Sequence, residues 1–235
     1  PRQEFFRAVA LNPAQRLILF TPIGLRHVRE NVTDREVLDL LVRAHAAGGL
    51  PPDIQVLVRL PPTIAVNLEG FSAPPWMKIE QPGTSFGAPF LKDSELGRED
   101  ERRLMDSLAW CDAVLTGPST MAIDAALFDK PTVLINFDNG GRGYWASIRV
   151  WYDYDHFRPI LASRGAAMAR DGGELLAALG HYLLHAEADR DGRARMARVE
   201  LWRTDGRSSE RLARLITAAL GANPAAASGG IMDQE

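Results

Sequence analysis

The stretch Cys111–Asp138, CDAVLTGPSTMAIDAALFDKPTVLINFD, decides how the rest of the chain is read. Asp112 to Thr116 is a short apolar run with the length of a buried strand. Gly117-Pro118-Ser119-Thr120 is a polar turn. Met121 to Phe128 is apolar at helical spacing. Asp129-Lys130-Pro131 stops that helix, because proline cannot continue it. Thr132 to Ile135 is a second buried strand. The unit is strand–turn–helix–strand, with its polar turn at the carboxyl end of the first strand. In parallel α/β sheets ligands bind at that edge. A helix starting there aims free N–H groups and its positive dipole end at the bound group, and phosphate is a common guest.

The same alternation extends outward. Phe5, Phe6 and Val9 give a lead-in helix over Pro1–Leu11, ended by Asn12-Pro13. Arg16 to Thr21 (RLILFT) reads as the first buried strand, with Thr21-Pro22-Ile23-Gly24 as the loop after it. Thr33-Asp34-Arg35-Glu36 fits a capping box ahead of a helix whose apolar stripe is Val37, Leu38, Leu41 and Val42. Ile54 to Leu60 is a second strand and Trp76 to Glu80 a further one. Gln81 to Leu91 reads as loop. Glu99 to Trp110 is a helix with Leu104, Met105, Leu108 and Ala109 inward. Asn139 to Pro159, rich in Gly, Arg and aromatics, reads as a long functional loop with one helical turn. Ala166–Ala169 is a last strand. Helices follow over Gly173–His185, Asp189–Arg203 and Ser208–Leu220, then a small-residue polar tail. The pattern predicts an α/β domain: a Rossmann-like parallel sheet with helices on both faces, over residues 1–220, and a flexible tail over 221–235.

Composition narrows the function classes. The 235 residues carry a net charge of −3 and a pI near 6.0, which gives no general attraction to nucleic acid or anionic membrane. One cysteine excludes a disulfide framework and a cysteine-based zinc site. No apolar run reaches the roughly 18–20 residues of a membrane span. With no signal peptide in view, the expected compartment is cytoplasmic, extending to the inner face of the membrane. The chain opens on Pro1 rather than Met and is expected to be a piece of a longer polypeptide.

Several residues bear on chemistry. Gly117 permits close backbone approach, and Ser119 or Thr120 can cap the helix and still offer a hydroxyl to phosphate. A nucleophile elbow is disfavoured, since Met121 stands where G-x-S-x-G needs its second glycine. Asp124, one turn into an apolar helix, needs donors: backbone N–H groups, or the paired hydroxyls of a ribose. His181 and His185 have a metal-compatible spacing but no third ligand, so they read as surface histidines and no metal is expected. The eight arginines of Asp189–Arg214 interleave with acids and read as a salt-bridged, solvated face. Trp145, Trp151, Tyr152, Tyr154 and Phe157 suit core packing and a wall for a base or acceptor equally.

These motifs together resemble the donor-binding half of two-domain glycosyltransferases of the GT-B type, and more closely the CDP-glycerol glycerophosphotransferase family of teichoic-acid and capsule synthesis. Thr116 to Thr120, Ile123-Asp124 and Lys130-Pro131 resemble its strand, T-D-Y-S-S turn, Asp-bearing helix and Lys-Pro stop. Asp205-Gly206-Arg207-Ser208-Ser209-Glu210-Arg211 resembles its D-G-K-x-S-E-R signature. Asp138, Arg142, Tyr144 and Arg149 resemble its Asp–Tyr–Arg loop, and Ile18–Pro22 its opening strand and turn. The turn region is common to many GT-B enzymes, and its combination with Asp205–Arg211 is more specific.

The resemblance implies transfer of a glycerophosphate or sugar group from a nucleotide-activated donor onto a cell-surface polymer. Its binding residues would be Thr21, Arg59, Gly117, Ser119, Thr120, Asp124, Asp138, Arg142, Arg207, Ser208 and Ser209, with no cofactor. Partners would be the nucleotide-diphosphate-linked donor and a missing N-terminal acceptor domain, with peripheral membrane association through that domain. The turn lacks the family's Asp and Tyr, here Gly117 and Pro118, and one departure is consequential: where the family carries histidine in Arg-x-His-Pro, this chain has Arg59-Leu60-Pro61-Pro62. The histidine's role then falls to Arg59 as catalytic residue or to the missing half. The chain alone is expected to bind nucleotide without turning it over. The alternatives are a UDP-sugar transferase or 2-epimerase, which share the half-fold, and a non-catalytic GT-B-like module.

Overall fold

The computed structural model describes residues 2–24, 32–85, 94–138 and 143–221. The chain divides into two compact units, residues 1–200 and the segment from Leu201 onward. In the first unit the elements are α1 (Arg2–Ala8), β1 (Arg16–Thr21), α2 (Thr33–Ala46), β2 (Ile54–Arg59), β3 (Met77–Glu80), β4 (Thr84–Ser85), β5 (Ser94–Glu95), α3 (Arg98–Trp110), β6 (Ala113–Thr116), α4 (Met121–Leu127), β7 (Thr132–Ile135), α5 (Arg158–Ala162), β8 (Ala167–Ala169) and α6 (Gly172–Leu184). Helix α7 (Arg190–Leu201) closes it, and α8 (Ser208–Ala219) belongs to the second.

Six strands form one parallel sheet in the order β3-β2-β1-β6-β7-β8. β4 and β5 pair separately and antiparallel, β4 inside the span expected as loop and β5 just beyond it, and residues 86–93 between them lie outside the described residues. The strands read as apolar runs because both faces of the sheet are covered. Alternation sorts β1: Ile18 and Phe20 pack with α2 and α6, while Leu17 and Leu19 pack with α1 and α3. From β1 the winding runs to β2 and β3 on one side, and from β6 to β7 and β8 on the other. The reversal falls between β1 and β6, whose register pairs Thr21 with Thr116.

Some local expectations are corrected. The Thr33–Glu36 capping box is absent: α2 is flanked by Val32 without a side-chain cap, and Thr33 is already helical. Asp34 instead accepts hydrogen bonds from the Ile23 and Gly24 amides at 2.8 Å each, and so fastens the loop after β1. In α3, Met105 faces solvent, and Ser107 lies inward with its hydroxyl donating to the Arg103 carbonyl at 2.6 Å. Residues 144–157 hold three short 3-10 turns rather than one helical turn. Residues 222–235, most of the expected tail, lie outside the described residues.

The arginine-rich stretch is not all solvated. Arg193 is 1% exposed; it donates to Asp129 Oδ1 at 2.8 Å and to the carbonyls of Ala186 and Ala188 at 2.9 and 2.5 Å. Arg190 meets the other Asp129 oxygen at 2.8 Å. This ties α7 to the turn that ends α4. Beside it, Gly192 crosses Arg164 so closely that a Cβ would stand 2.1 Å from the Arg164 carbonyl oxygen.

The loops after β1 and β6 are equally close. A Cβ on Gly117 would lie 2.3 Å from Ile23 Cγ1, so glycine is required there by packing.

Two stability outcomes follow from these contacts. Arg193→Met leaves two carbonyls and part of Asp129 without their donor, and should lower unfolding stability by about 3 kcal/mol in a urea titration. Gly117→Ala should cost about 2 kcal/mol by overpacking. Adding Ile23→Ala should recover part of that loss, giving a non-zero coupling in the double-mutant cycle.

Candidate functional site

The carboxyl ends of β1, β2 and β6 open onto a crevice at the reversal of the sheet, the place where such folds bind ligands. It has two adjoining recesses. The first, of about 210 Å³, is lined by Thr21, Pro22, Arg59, Leu60, Pro61, Pro62, Pro82, Leu96, Leu104, Ser119 and Met121. The second, of about 290 Å³, is lined by Pro22, Ile23, Pro61, Ile64, Gly117–Thr120, His156 and Phe157. Pro22, Pro61 and Ser119 are common to both.

At the floor, Thr21 Oγ1 donates to Thr116 Oγ1 at 2.7 Å across the β1–β6 register. Ser119 Oγ accepts the Met121 amide at 3.2 Å and so caps the short α4 locally. Thr120 is exposed and makes no capping bond. Asp124 sits one turn further along α4, half-buried, outside both linings. Burial raises its pKa, as expected for a carboxylate partly withdrawn from water.

Arg59 ends β2 with its side chain 7% exposed. Its Nη2 donates to the Asp100 carbonyl at 2.9 Å, and its Nη1 lies 3.2 Å from Glu80 Oε1. Nη1 and Glu80 Oε2 are buried without a well-aligned hydrogen bond. Burial pulls the guanidinium's pKa below its ordinary value, against the carboxylates of Glu80 and Asp100, which raise it. Asp100 accepts the Gly83 and Gly97 amides at 2.9 and 3.0 Å, and these two bonds hold its pKa low. Glu80 and Asp100 were not singled out in the sequence; spacing gives no hint that they converge on Arg59.

Of the residues expected at a ligand, Thr21, Arg59, Gly117, Ser119 and Thr120 are brought together. Asp138 is engaged elsewhere: the Ser147 hydroxyl donates to it at 2.5 Å and pins the 3-10 segment to the end of β7. Arg142 lies outside the described residues. Arg207, Ser208 and Ser209 lie in the second unit, at the start of α8. There Arg207 pairs with Glu210 at 2.7 and 3.0 Å, and Asp205 accepts the Arg207 amide at 3.1 Å and pairs with Arg211.

His156 lines the second recess and was not among the expected site residues. Its one sequence signal is position, inside the aromatic run already marked as a functional loop. Of the aromatic residues of that segment, two fill the core-packing role. Tyr152 and Phe157 are buried, with the Tyr152 hydroxyl donating to the Ile135 carbonyl at 2.8 Å, whereas Trp145 is 85% exposed. The thiol of Cys111 is buried and its pKa is pushed up to about 12, so it is no nucleophile at neutral pH. Among the described residues no group of three or more His, Cys, Asp or Glu is placed to hold a metal, and no helix is long and apolar enough to cross a membrane.

No family model matches the chain, and no curated protein does. Solved structures do. The wall teichoic acid polymerase TagF is matched with a TM-score of 0.56 and 14% identity, over 94% of this chain and 47% of that one. The S. aureus MnaA–UDP co-structure is matched with a TM-score of 0.55 and 11% identity, over 94% of this chain and 49% of that one. CalG4, the calicheamicin glycosyltransferase, is matched with a TM-score of 0.50 and 16% identity, over 89% and 44%. The chain thus spans about half the length of the structures it matches. With its six-stranded parallel sheet flanked by helices, it has the Rossmann-like fold of one half of a GT-B protein.

Proposed function

We propose that the crevice binds the nucleotide half of an activated donor, for transfer of a glycerophosphate or sugar group onto a cell-surface polymer or glycan. The observation that carries this reading is the crevice itself. Five residues expected from sequence line two joined recesses of different polarity at the point where the sheet's winding reverses. The first, walled by four prolines, three leucines and Met121, suits a base. The second, floored by Gly117–Thr120, suits the pyrophosphate. Asp124, half-buried and outside both linings, is assigned in this reading to the ribose hydroxyls, on the strength of its carboxylate one turn into α4.

In this reading Thr120 and the backbone of the turn contact phosphate oxygen, and Ser119 adds its hydroxyl. Arg59 contributes positive potential from behind Pro61, reduced by its partnership with Glu80. Stabilising the charge that develops on the leaving pyrophosphate is the chief catalytic contribution such a site offers. Arg207, Ser208 and Ser209 retain the phosphate role that the sequence resemblance gives them. The base that activates the acceptor is assigned to a second half-domain, which also carries any membrane association.

Two other readings have specific support. The likeness to MnaA in complex with UDP keeps a UDP-sugar transferase or 2-epimerase in view. Pro61, together with the engagement of Arg59 by Glu80 and the Asp100 carbonyl, favours a binding module without turnover.

Calorimetry with CDP-, UDP- and GDP-linked donors separates these readings. One donor class should bind, Ser119→Ala and Asp124→Ala should each weaken it about tenfold, and the chain alone should show no transfer. Binding unchanged by both substitutions, or sustained transfer by the chain alone, would count against the assignment. Asp124→Asn adds an independent readout. A carboxyl whose folded pKa is raised costs stability as pH climbs out of the ordinary aspartate range. The ligand-free Asn variant should therefore melt higher than the parent at neutral pH, with the gain vanishing at acid pH, while its donor affinity falls.

A further inference from the structure

The two recesses contain two side chains able to carry positive charge, Arg59 in the first and His156 in the second. Arg59 is taken up by Glu80 and the Asp100 carbonyl. His156 is not. Its imidazole is held by rings: it stacks on Tyr154 with centroids 6.0 Å apart and planes 14° apart, and packs on Phe157 at 4.9 Å. Phe157 is 2% exposed and anchored among Tyr152, Ile160 and Met196, so the ring is seated on the core although it is itself exposed. Ring contacts position an imidazole without using either nitrogen. Both nitrogens of His156 are without a protein hydrogen bond among the described residues, beside a turn that offers hydroxyls and a glycine.

The charges around it leave it unpaired. The neighbouring Asp155 is 3.3 Å from Arg158, which takes up its charge. From the loops packed around the recess come Pro22, Ile23, Pro61, Ile64, Gly117, Pro118, Ser119 and Thr120, none of them ionisable. Tyr154, on its own segment, is the remaining titratable neighbour.

We propose that His156 is the anion-contacting residue of this crevice, donating from its protonated imidazole to a pyrophosphate seated against Gly117–Thr120. The proposal rests on the reading of the crevice as a donor site and goes beyond it. It assigns the phosphate charge to a titrating group from the β7–α5 segment, and makes donor affinity depend on pH. Histidine is the side chain whose ordinary ionisation falls in the neutral range. The imidazole thereby occupies the crevice that Pro61, at the end of β2, leaves without a side chain able to donate.

The test is calorimetric titration of the whole chain with UDP-glucose and CDP-glycerol, whose pyrophosphates are esterified at both ends and do not themselves titrate near neutrality. For whichever donor binds, the parent affinity should fall about tenfold between roughly pH 5.5 and 8. His156→Gln should bind about tenfold more weakly at the lower pH and show a flat profile, and His156→Lys should keep the high affinity at the upper pH. Each variant is accepted only with the parent's melting temperature, which an exposed position should preserve. Adding the donor at pH 5.5 should also shift the imidazole 15N resonances of His156. Donor binding with no pH dependence, unchanged in His156→Gln, overturns the role of His156 and leaves the donor-site reading standing. Absence of binding by any donor at either pH overturns both.

Discussion

The seam between β1 and β6 is the constraint on which the rest depends. Parallel strands that wind away from each other leave two loops side by side at their carboxyl ends, and those loops must be held apart enough to leave a crevice. Three contacts set that spacing. The Thr21 and Thr116 hydroxyls close the floor at 2.7 Å. Gly117 admits Ile23 where a Cβ would collide. The Asp34 carboxylate, 1% exposed, takes the amides of Ile23 and Gly24. The last has a chemical consequence. In a dinucleotide-binding sheet the turn after the first strand offers its amides to phosphate. Here those two amides already hold an internal anion, so a second anion gains nothing from them. On the proposed reading, anion contact therefore passes to the β6 turn and to side chains facing it.

Arg59 shows the same kind of displacement. A guanidinium at the end of a strand, lining a recess, invites assignment to phosphate. Its geometry ties it instead to Glu80 on the neighbouring strand and to the first turn of α3. A buried pair of this kind stabilises little in net terms, but removing one partner strands the other. Arg59 therefore organises the β2–β3 edge of the crevice and the Gly83–Gly97 region that Asp100 fastens. On the proposed reading it would act on a ligand only through what its partners leave uncompensated.

Strands and helices were legible because their patterns are local. RLILFT at 16–21 coincides with β1, and the strand–turn–helix–strand of 111–138 appears as read. The gathering of Thr21, Arg59 and Gly117–Thr120 at one sheet edge was legible too, because parallel topology sends every strand's carboxyl end to the same side. What was missed is partnership. Asp34 fits a capping motif by spacing, and only the return of the β1 loop shows which amides it serves. Arg193 belongs to an interleaved run of acids and bases, and its burial follows from Gly192 crossing Gly165, two glycines no helical pattern marks. Met105 and Ser107 exchanged places because the α3 stripe was assigned by hydropathy, whereas Ser107 satisfies its hydroxyl on the helix's own Arg103 carbonyl and so tolerates burial. His156 was overlooked because its neighbours are conspicuous aromatics and a recess is not a sequence property.

The polarity of the two recesses bears on selectivity. Pro22, Pro61, Pro62 and Pro82 wall the first, and proline contributes a carbonyl acceptor but no N–H. A base seated there finds a rigid apolar wall and acceptors, with Thr21 spending its hydroxyl proton on Thr116. With Arg59 held by Glu80 and the Asp100 carbonyl, Ser119 supplies the hydroxyl donor of that lining, so the recess would discriminate among bases through their amino groups and their shape more than through their carbonyl oxygens. Cytosine offers an exocyclic amine where uracil offers a carbonyl. On the proposed reading this asymmetry favours the amino-bearing base. That preference would arise from the Pro-rich loops around β2 and β3 rather than from the Gly117–Thr120 turn that floors the second recess.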